Sequence, residues 1–320
     1  MDKKRNFRLI KNMDWQDPIS AVKGMKRINY VLENGSVEEI KRLKAKHEEL
    51  IEFHWKYYQE LALQRERIKD KIFDTLLTSC KRGYQFEKFQ RAVKYKYSLH
   101  PLCSIGSIAP PGGRFNVGDV NSSIKQVHAL YIASDKDTAL QEALGQEPVK
   151  GQTLSARELA LTNPQSETIV SVTGQLDYLL DLRTHHALTR FISLIKNFKI
   201  SPALKKEAKR LGLHEPKVID KATLLHGVLM TPNWRHLAAL FDIPWNSQIF
   251  GNLCAEAGVH GIAYKSSKNG KECMAIFPLN FAGGTSIVVI DDEAPVQVKV
   301  TRLDATNFYQ SLFTHDQLAK

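Results

Sequence analysis

The chain changes character once, near residue 90, and this change restricts the folds open to it. Residues 36–83 contain no proline and one glycine, and their apolar side chains recur at roughly helical spacing, from Ile40 to Leu76. Beyond residue 90, glycines and prolines separate short runs that are rich in β-branched and aromatic residues. Because helical and extended periods place apolar side chains differently, we predict a helical N-terminal region, 1–88, followed by an α+β domain, 89–300.

The N-terminal region is expected to begin with an irregular or loosely helical stretch, 1–35. The motif "SVEE" at 36–39 has the capping-box pattern, in which Ser36 caps the helix and Glu39 reaches back. The apolar spacing that follows predicts one helix of about 45 residues or a helical hairpin. We expect this segment to end at 81–83, "KRG", because basic residues and a glycine are typical of a helix C-terminus.

The domain predicted for 89–300 contains both segments with the apolar spacing of strands and segments with that of helices. The predicted strands are 128–134, 260–267 and 272–278. The segments "TSIVVIDD" (285–292) and "VQVKVTRL" (296–303) are expected to form a closing hairpin or edge strands. The predicted helices are 137–145, from an Asp137 cap to Gly145, and 247–258, ending at Gly258. Residues 167–182 predict a strand, a turn at Gly174, and a second strand or helix start. A mainly helical insert is predicted at 184–241, and a C-terminal tail at 301–320.

The net charge and the placement of cysteine and histidine residues limit the functions that the chain can have. A formal net charge of +11 is compatible with a nucleic acid, a phosphate-bearing ligand or an acidic protein as partner. No helix-turn-helix, RNA-recognition or zinc-finger pattern is evident, so we do not expect nucleic-acid binding. The four cysteines form no CxxC pair, which predicts reduced thiols and no metal site. The adjacent His185 and His186 are interpreted as surface residues.

The sequence also carries no signal for a membrane or for export. It contains no run of eighteen apolar residues, so we expect no membrane-spanning helix. The start, "MDKKRNFRLI", is charged and lacks the apolar core of a secretory signal. The expected location is therefore the cytoplasm.

The stretch "GGRFNVG" at 112–118 is the first candidate for a functional loop. Three glycines surround Arg114, and glycines allow a backbone to approach another group closely. An arginine in such a loop can hold a phosphate through paired hydrogen bonds, which a lysine cannot reproduce. The alternatives are an ordinary tight turn and a structural ion pair.

Four segments in order resemble the RES domain family, which is named for an arginine, a glutamate and a serine. They are "GGRFN", "ALYIAS" with "TALQEAL" after it, "LDYLLDL", and "AEAG" followed by "GIAYKSS" and "CMAIFP", and together they span roughly 90–280. Tyr131 precedes Glu142 by eleven residues, as in that family. No GxGxxG motif follows a strand, which argues against a Rossmann fold.

The resemblance implies a fold and a chemistry. The fold is an ADP-ribosyltransferase-like split, curved β-sheet with flanking helices, here with an N-terminal helical region added. The activity is cleavage of NAD⁺ as a substrate, by water or with inorganic phosphate as co-substrate, and no cofactor or metal is implied. Family members are usually toxins, so an antitoxin or immunity protein is the expected partner. A homo-oligomer is also compatible with the long N-terminal helices.

The catalytic residues carried over from the resemblance are Arg114, Tyr131, Glu142 and Ser266. Arg114 is expected to hold the pyrophosphate, and the Tyr131 ring to contact the nicotinamide or its ribose. A carboxylate at Glu142 would stabilise the positive charge that develops on the ribose. The Ser266 hydroxyl is expected to bind ribose or phosphate oxygens, not to act as a nucleophile, since no nucleophile elbow surrounds it.

Further residues are predicted to bind NAD⁺. They are Arg91, Gly112, Gly113, Asn116, Gly118, Gln248, Tyr264 and Ser267. Ser267 is the alternative to Ser266. Arg91 is chosen over Lys94 and Lys96 for a second arginine that the family shows upstream of "GGR".

Two other functions are compatible with the same sequence. The same site would serve an ADP-ribosyltransferase that modifies a protein or nucleic acid, with the N-terminal helices and the insert recognising the target. A non-enzymatic basic protein that binds nucleic acid would instead show salt-dependent binding that survives loss of Glu142. Transfer of label from NAD⁺ to a macromolecule would distinguish the first alternative.

Overall fold

The computed structural model describes residues 37–120, 124–144, 167–232, 234 and 243–318. Ser36, residues 1–35 and Gly145, all named in the sequence predictions, lie outside these ranges. The protein is α+β, as predicted, with an N-terminal helical region and a central sheet.

The helices of the described chain, in order, are α1 Val37–Arg67, α2 Lys69–Thr78, α3 Lys136–Leu144, α4 Thr189–Ile195, α5 Pro202–Arg210, α6 Ala222–Leu229, α7 Asn246–Glu256 and α8 His315–Leu318. Short 3₁₀ turns lie at Tyr95–Tyr97, Ile105–Ile108, His185–Leu188, Pro278–Phe281 and Phe308–Leu312. The predicted helices 137–145 and 247–258 are confirmed as α3 and α7. Gly258 has a φ of +87°, which suits the left-handed residue that ends a helix.

The strands are β1 Lys81–Lys94, β2 Gly112–Gly113, β3 Asn116–Val117, β4 Leu130–Ala133, β5 Glu167–Asp181, β6 Gly261–Lys265, β7 Glu272–Ile276, β8 Ile287–Ile290 and β9 Arg302–Leu303. Seven of them form one sheet in the order β1-β4-β7-β6-β5-β8-β9, and β1 also pairs with β5. This extra pairing joins β1, β4, β7, β6 and β5 into a closed ring of strands. The strands predicted at 128–134, 260–267 and 272–278 are confirmed as β4, β6 and β7.

Strand β5 changes partner along its length. Its first part, around 172–175, pairs antiparallel with β8, and its last part, 179–181, pairs parallel with β6. Along its other edge, β5 is antiparallel to β1 from Glu167 to Leu179. The sheet therefore divides where β5 leaves β8 and reaches β6, and β8 and β9 form its outer edge as an antiparallel pair. The strand predicted at 285–292 is confirmed as β8, whereas the strand predicted at 296–303 is limited to Arg302–Leu303.

The turn predicted at Gly174 is wrong, because β5 continues through it. Gly174 lies between Phe86 of β1 and Val288 of β8. A Cβ atom at this position would clash with the Ile287 carbonyl oxygen and would lie 2.7 Å from Phe86 Cζ. The glycine thus permits close approach of the β8 backbone instead of a change of chain direction.

The prediction that the N-terminal helical segment ends at 81–83 is also wrong. The segment consists of two helices that are interrupted at Ile68, and the second ends at Thr78. Lys81 then begins β1, a strand of 14 residues. The sheet pairing of β1 with β5, which is distant in the sequence, overrides the local preference of this charged segment.

The described chain divides into two compact units. The first contains 37–68 and 195–219, and the second contains 69–194 and 220–318. In the first unit, α5 packs against α1 through Phe53, Leu204 and Ala208. Ser201 caps α5 by accepting a hydrogen bond from the Leu204 N–H, and Pro202 occupies its first turn. Part of the predicted helical insert, 195–219, thus packs with the N-terminal helix.

The core of the second unit lies inside the curved sheet. Phe86, Leu130, Val172, Leu176 and Met274 are among its buried side chains. Helix α7 packs against α2, α6 and β3. The sheet and these helices fix the positions of the loops that carry the candidate site. No helix in the described part of the chain is long and apolar enough to span a membrane.

Replacement of Gly174 with alanine should lower the free energy of unfolding by about 1–3 kcal/mol, because the added methyl group overpacks the contact between β5 and β8. Gly227 in α6 is the matched control, since a Cβ there meets no atom within 4 Å. Gly227→Ala should stabilise the protein by about 0.5–1 kcal/mol. Urea unfolding of both variants measures the difference, and equal effects would contradict the packing assigned to Gly174.

Three histidines should make the stability depend on pH. Burial lowers the pKa of His100, His128 and His260 in the folded protein. The unfolded chain therefore binds protons first, so stability is full above about pH 6.5 and falls as the pH drops below it. The pKa values of Asp177 and Asp181 are lowered, so these carboxylates remain ionised in that window. Urea unfolding at pH 7.5 and 5.5 should show lower stability at pH 5.5, and an unchanged or higher value would refute this.

Candidate active site

The stretch "GGRFNVG" forms a tight hairpin. Gly112 pairs with Val117 and Gly113 with Asn116, which makes β2 and β3 two-residue strands. Gly112 has a φ of +98°, and a Cβ at Gly118 would lie 2.6 Å from the Gly112 nitrogen. These glycines are required because the two arms of the hairpin contact each other directly. Locally, these glycines therefore form an ordinary tight turn, which the sequence offered as the alternative to a ligand-binding loop.

Two buried amides hold this hairpin in place. Gln248, at the start of α7, donates from Nε2 to the Pro111 carbonyl at 2.7 Å and to the Gly113 carbonyl at 3.2 Å. Asn116 donates to the carbonyls of Ser107 and Val127 at 2.9 and 2.8 Å, and its Oδ1 accepts from the Gly113 N–H. Both side chains are fully buried and shape the loop, so their observed contacts are structural.

Tyr131 joins strand β4 to the hairpin. Its hydroxyl donates to Asn116 Oδ1 at 2.8 Å and accepts from the Phe115 N–H at 2.9 Å. Gly113 lies against the same hydroxyl so closely that no Cβ would fit. The half-buried ring is thereby fixed next to the loop that carries Arg114.

Arg114 points inward from the hairpin and connects three segments. It is 3 % exposed. Its Nη1 donates to the carbonyls of Leu229 and Thr231 at 3.2 and 2.9 Å, and its Nη2 donates to Ser267 Oγ at 2.8 Å. The Nε–H is buried and has no hydrogen-bond partner among the described residues. A cation with one unsatisfied donor is thus held beside the turn after β6.

Glu142 lies on α3, which begins next to the end of β4. The N-cap is Asp135, not the predicted Asp137, since Asp135 Oδ1 accepts from the Thr138 N–H at 3.1 Å. Glu142 Oε1 accepts a hydrogen bond of 2.5 Å from Ser266 Oγ. Ser266 is 3 % exposed, whereas Ser267 is exposed. The two serines therefore have different partners: Ser266 contacts Glu142, and Ser267 contacts Arg114.

The turn 266–271, between β6 and β7, is attached to α3 at two further points. Asn269 donates to Thr138 Oγ1 at 2.9 Å, and Lys271 lies 3.3 Å from the Asp135 carboxylate. Hydrogen bonds from Thr138 and the ion pair with Lys271 outweigh burial and lower the pKa of Asp135, so it stays charged at neutral pH. Asn269 and Asp135 are not among the predicted site residues, although the "KNG" turn and the aspartate two residues before Asp137 are both present in the sequence.

Tyr264 and Cys273 lie beneath this surface. Both are 1 % exposed, and the Tyr264 ring packs edge-on against Phe115 with the centroids 5.1 Å apart. Burial raises the pKa of Tyr264, and the nearby Cys273 and Glu142 raise it further. The phenol therefore stays protonated, and the observed position of Tyr264 is a packed floor under the site.

Comparison with known protein families assigns the domain that contains this site. The family model described as "RES domain" matches residues 88–299. The chain belongs to the RES domain family. The resemblance in the sequence is thereby confirmed. The comparison with curated protein sequences finds no match.

A solved structure of the M. tuberculosis MbcT–MbcA toxin–antitoxin complex is similar to the chain at 11 % sequence identity, with a TM-score of 0.37. The alignment covers 75 % of this chain and 96 % of the other.

Arg91 lies on β1 within the RES domain, and its guanidinium contacts three backbone carbonyls. Its Nε donates to the Pro101 carbonyl at 2.7 Å, its Nη2 to the Cys103 carbonyl at 2.7 Å, and its Nη1 to the Tyr131 carbonyl at 3.2 Å. Burial lowers its pKa to about 10, so it remains charged. Because these carbonyls occupy the guanidinium, we leave Arg91 out of the proposed substrate contacts.

The site contains no cluster that resembles a metal centre. Within the described ranges, no group of three or more His, Cys, Asp or Glu side chains is arranged to hold a metal ion. His185 and His186 lie in a 3₁₀ turn, with ring centroids 4.5 Å apart.

Asp135→Ala should destabilise the RES domain by about 1–2 kcal/mol, because α3 loses its cap. Asp137→Ala is the matched control, which removes the same charge two residues later and should change the free energy of unfolding by less than about 0.5 kcal/mol. Thermal and urea unfolding measure both. A larger loss for Asp137→Ala would contradict the cap assignment.

Proposed function

We propose that this RES domain cleaves the bond between nicotinamide and ribose in NAD⁺. The observation that carries the proposal is the pairing of Ser266 with the Glu142 carboxylate, next to the buried Arg114 and its partner Ser267. Ser266 contacts the Glu142 carboxylate and the adjacent Ser267 contacts the Arg114 guanidinium, so this turn brings the two charged groups near each other. NAD⁺ needs both kinds of group, since its pyrophosphate is anionic and its reacting ribose becomes cationic.

In the proposed reaction, the bond from the ribosyl C1′ to the nicotinamide nitrogen breaks. Its electron pair goes to the ring, so neutral nicotinamide leaves, and positive charge spreads over C1′ and the ribose oxygen. The Glu142 carboxylate stabilises this charge at a fixed position. The Ser266 hydroxyl orients the carboxylate by donating a hydrogen bond to Oε1.

The remaining groups are proposed to position the substrate. Arg114 supplies the positive charge and the unsatisfied Nε–H on the pyrophosphate side. The exposed Ser267 hydroxyl, which Arg114 orients, contacts a phosphate or ribose oxygen. Tyr131 presents its ring to the nicotinamide, since its hydroxyl is already engaged by the hairpin.

The acceptor completes the reaction. With inorganic phosphate, a phosphate oxygen bonds to C1′ and gives ADP-ribose 1″-phosphate. With water, the oxygen bonds to C1′, one proton is released and ADP-ribose forms. Both routes need no oxidant or reductant.

We further propose that the chain is the toxin of a toxin–antitoxin pair. Membership of the RES domain family supports this role, because depletion of NAD⁺ would stop growth unless a partner blocked the site. The positive net charge of +11 favours an acidic antitoxin.

Glu142→Gln should lower the rate of nicotinamide release from NAD⁺ by about 10²-fold or more, because the amide keeps the shape and a hydrogen-bond acceptor but loses the charge. Glu293→Gln removes a carboxylate from an exposed loop and should leave the rate unchanged. Chromatography of nicotinamide measures both variants.

The two serines give a second comparison in the same assay. Ser266→Ala should reduce turnover mainly through kcat, since it releases the carboxylate that stabilises the transition state. Ser267→Ala should mainly raise KM. Full activity of folded Glu142→Gln protein would overturn the proposed role of the carboxylate.

A further inference from the structure

A cavity that opens widely to solvent lies in the second unit and shares no residue with the site described above. Its volume is about 500 Å³, within the range of about 300–1,000 Å³ that is common for small-molecule sites. It lies between the C-terminal end of α2, the start of β1, the end of β5 and the segment 184–190. Secondary-structure elements rather than long loops therefore define most of its wall.

The lining of the cavity is rich in hydroxyl groups. Thr78 and Ser79 come from the end of α2, and Thr184 and Thr189 come from the segment that follows β5. The hydroxyls of Thr78 and Ser79 donate to the carbonyls of Asp74 and Thr75, so their oxygens can accept hydrogen bonds from a ligand. An apolar ligand would leave these groups unsatisfied.

Charged side chains complete the lining. Arg190 is exposed and forms no ion pair with the residues that the structure describes, and His186 belongs to the same lining. Lys81 also lines the cavity, and it pairs with Asp181 at 2.8 Å. Arg190 is thus a cation whose donors are available to an anionic group.

Asp181 holds two basic side chains in place beside the same lining. Its carboxylate accepts from Arg183 at 2.8 Å as well as from Lys81. Hydrogen bonds from Arg183 and Lys81 outweigh burial and hold its pKa well below the usual range. Oδ1 accepts from the Arg183 backbone N–H and Nε, and Oδ2 accepts from Arg183 Nη2 and Lys81, so the carboxylate stays ionised with its acceptor positions occupied. Asp181 therefore orients these basic side chains and is not itself a contact for the ligand.

We infer that this cavity binds a phosphorylated sugar or a similar small molecule that carries both a phosphate group and free hydroxyls. Arg190 takes the phosphate through charge-assisted hydrogen bonds. The threonine and serine hydroxyls take the hydroxyl groups. The inference does not depend on NAD⁺ cleavage, because none of these residues belongs to the proposed reaction.

The test is isothermal titration calorimetry with ribose 5-phosphate as the probe, with ribose and inorganic phosphate as separate arms. Ribose 5-phosphate should bind more tightly than either part alone. Arg190→Ala should weaken its binding by about tenfold or more, as expected for loss of a charge-assisted hydrogen bond. Thr184→Ala should weaken the binding of ribose 5-phosphate less. Because Thr184 is exposed, its replacement should leave the fold intact, so this variant tests the cavity even if Arg190→Ala fails to fold.

Two control variants show whether the affinity arises in this cavity. Arg67→Ala removes an exposed arginine of α1 and should leave the affinity unchanged, so an equal loss there would show general charge attraction and overturn the inference. Ser267→Ala changes the proposed active site and should also leave the affinity unchanged. Absence of binding by the unaltered protein, or binding that Arg190→Ala and Thr184→Ala do not affect, would overturn it as well.

Discussion

The pairing of β1 with β5 is the constraint on which the second unit depends. It joins residues 81–94 to 167–179 and closes the ring of strands through β4, β7 and β6. Within the ring, β4 and β6 both pair antiparallel with β7, which lies between them, so the end of β4 and the turn after β6 lie at the same end of the sheet. The helix that carries Glu142 follows β4, and Ser266 follows β6. A contact between residues 124 positions apart in the chain is thereby set by backbone pairing.

Buried arginines hold the loops around this framework. Arg91 donates hydrogen bonds to the carbonyls of Pro101, Cys103 and Tyr131. Arg114 donates to the carbonyls of Leu229 and Thr231. A buried cation that is paired with neutral carbonyls costs desolvation energy, which is acceptable only when its donors are well satisfied. Arg91 meets this condition. Arg114 leaves its Nε–H unsatisfied, and this difference is why Arg114, and not Arg91, remains a proposed substrate contact.

Local sequence signals predicted the elements whose pattern is local. The strands β4, β6 and β7 and the helices α3 and α7 follow directly from periodicity and from the glycine after α7. Strand β1 was missed because "KRGYQFEKFQRAVK" is charged and becomes extended only through its pairing with β5. Gly174 was misinterpreted because a glycine that admits a neighbouring backbone looks the same in sequence as a turn. Family resemblance supplied Glu142 and Ser266, whereas their hydrogen bond and the second pair, Arg114 with Ser267, required coordinates.

The proposed function depends most on which bond of NAD⁺ is broken. Phosphorus NMR of NAD⁺ incubated with the purified protein, with and without inorganic phosphate, tests this directly when nicotinamide is followed in the same samples. We predict that nicotinamide appears while the two pyrophosphate phosphorus nuclei stay linked, since only the glycosidic bond is cleaved. A new sugar-phosphate resonance in the presence of phosphate would identify phosphate as the acceptor. Release of AMP, or unchanged NAD⁺ after incubation with folded protein, would contradict the proposed function.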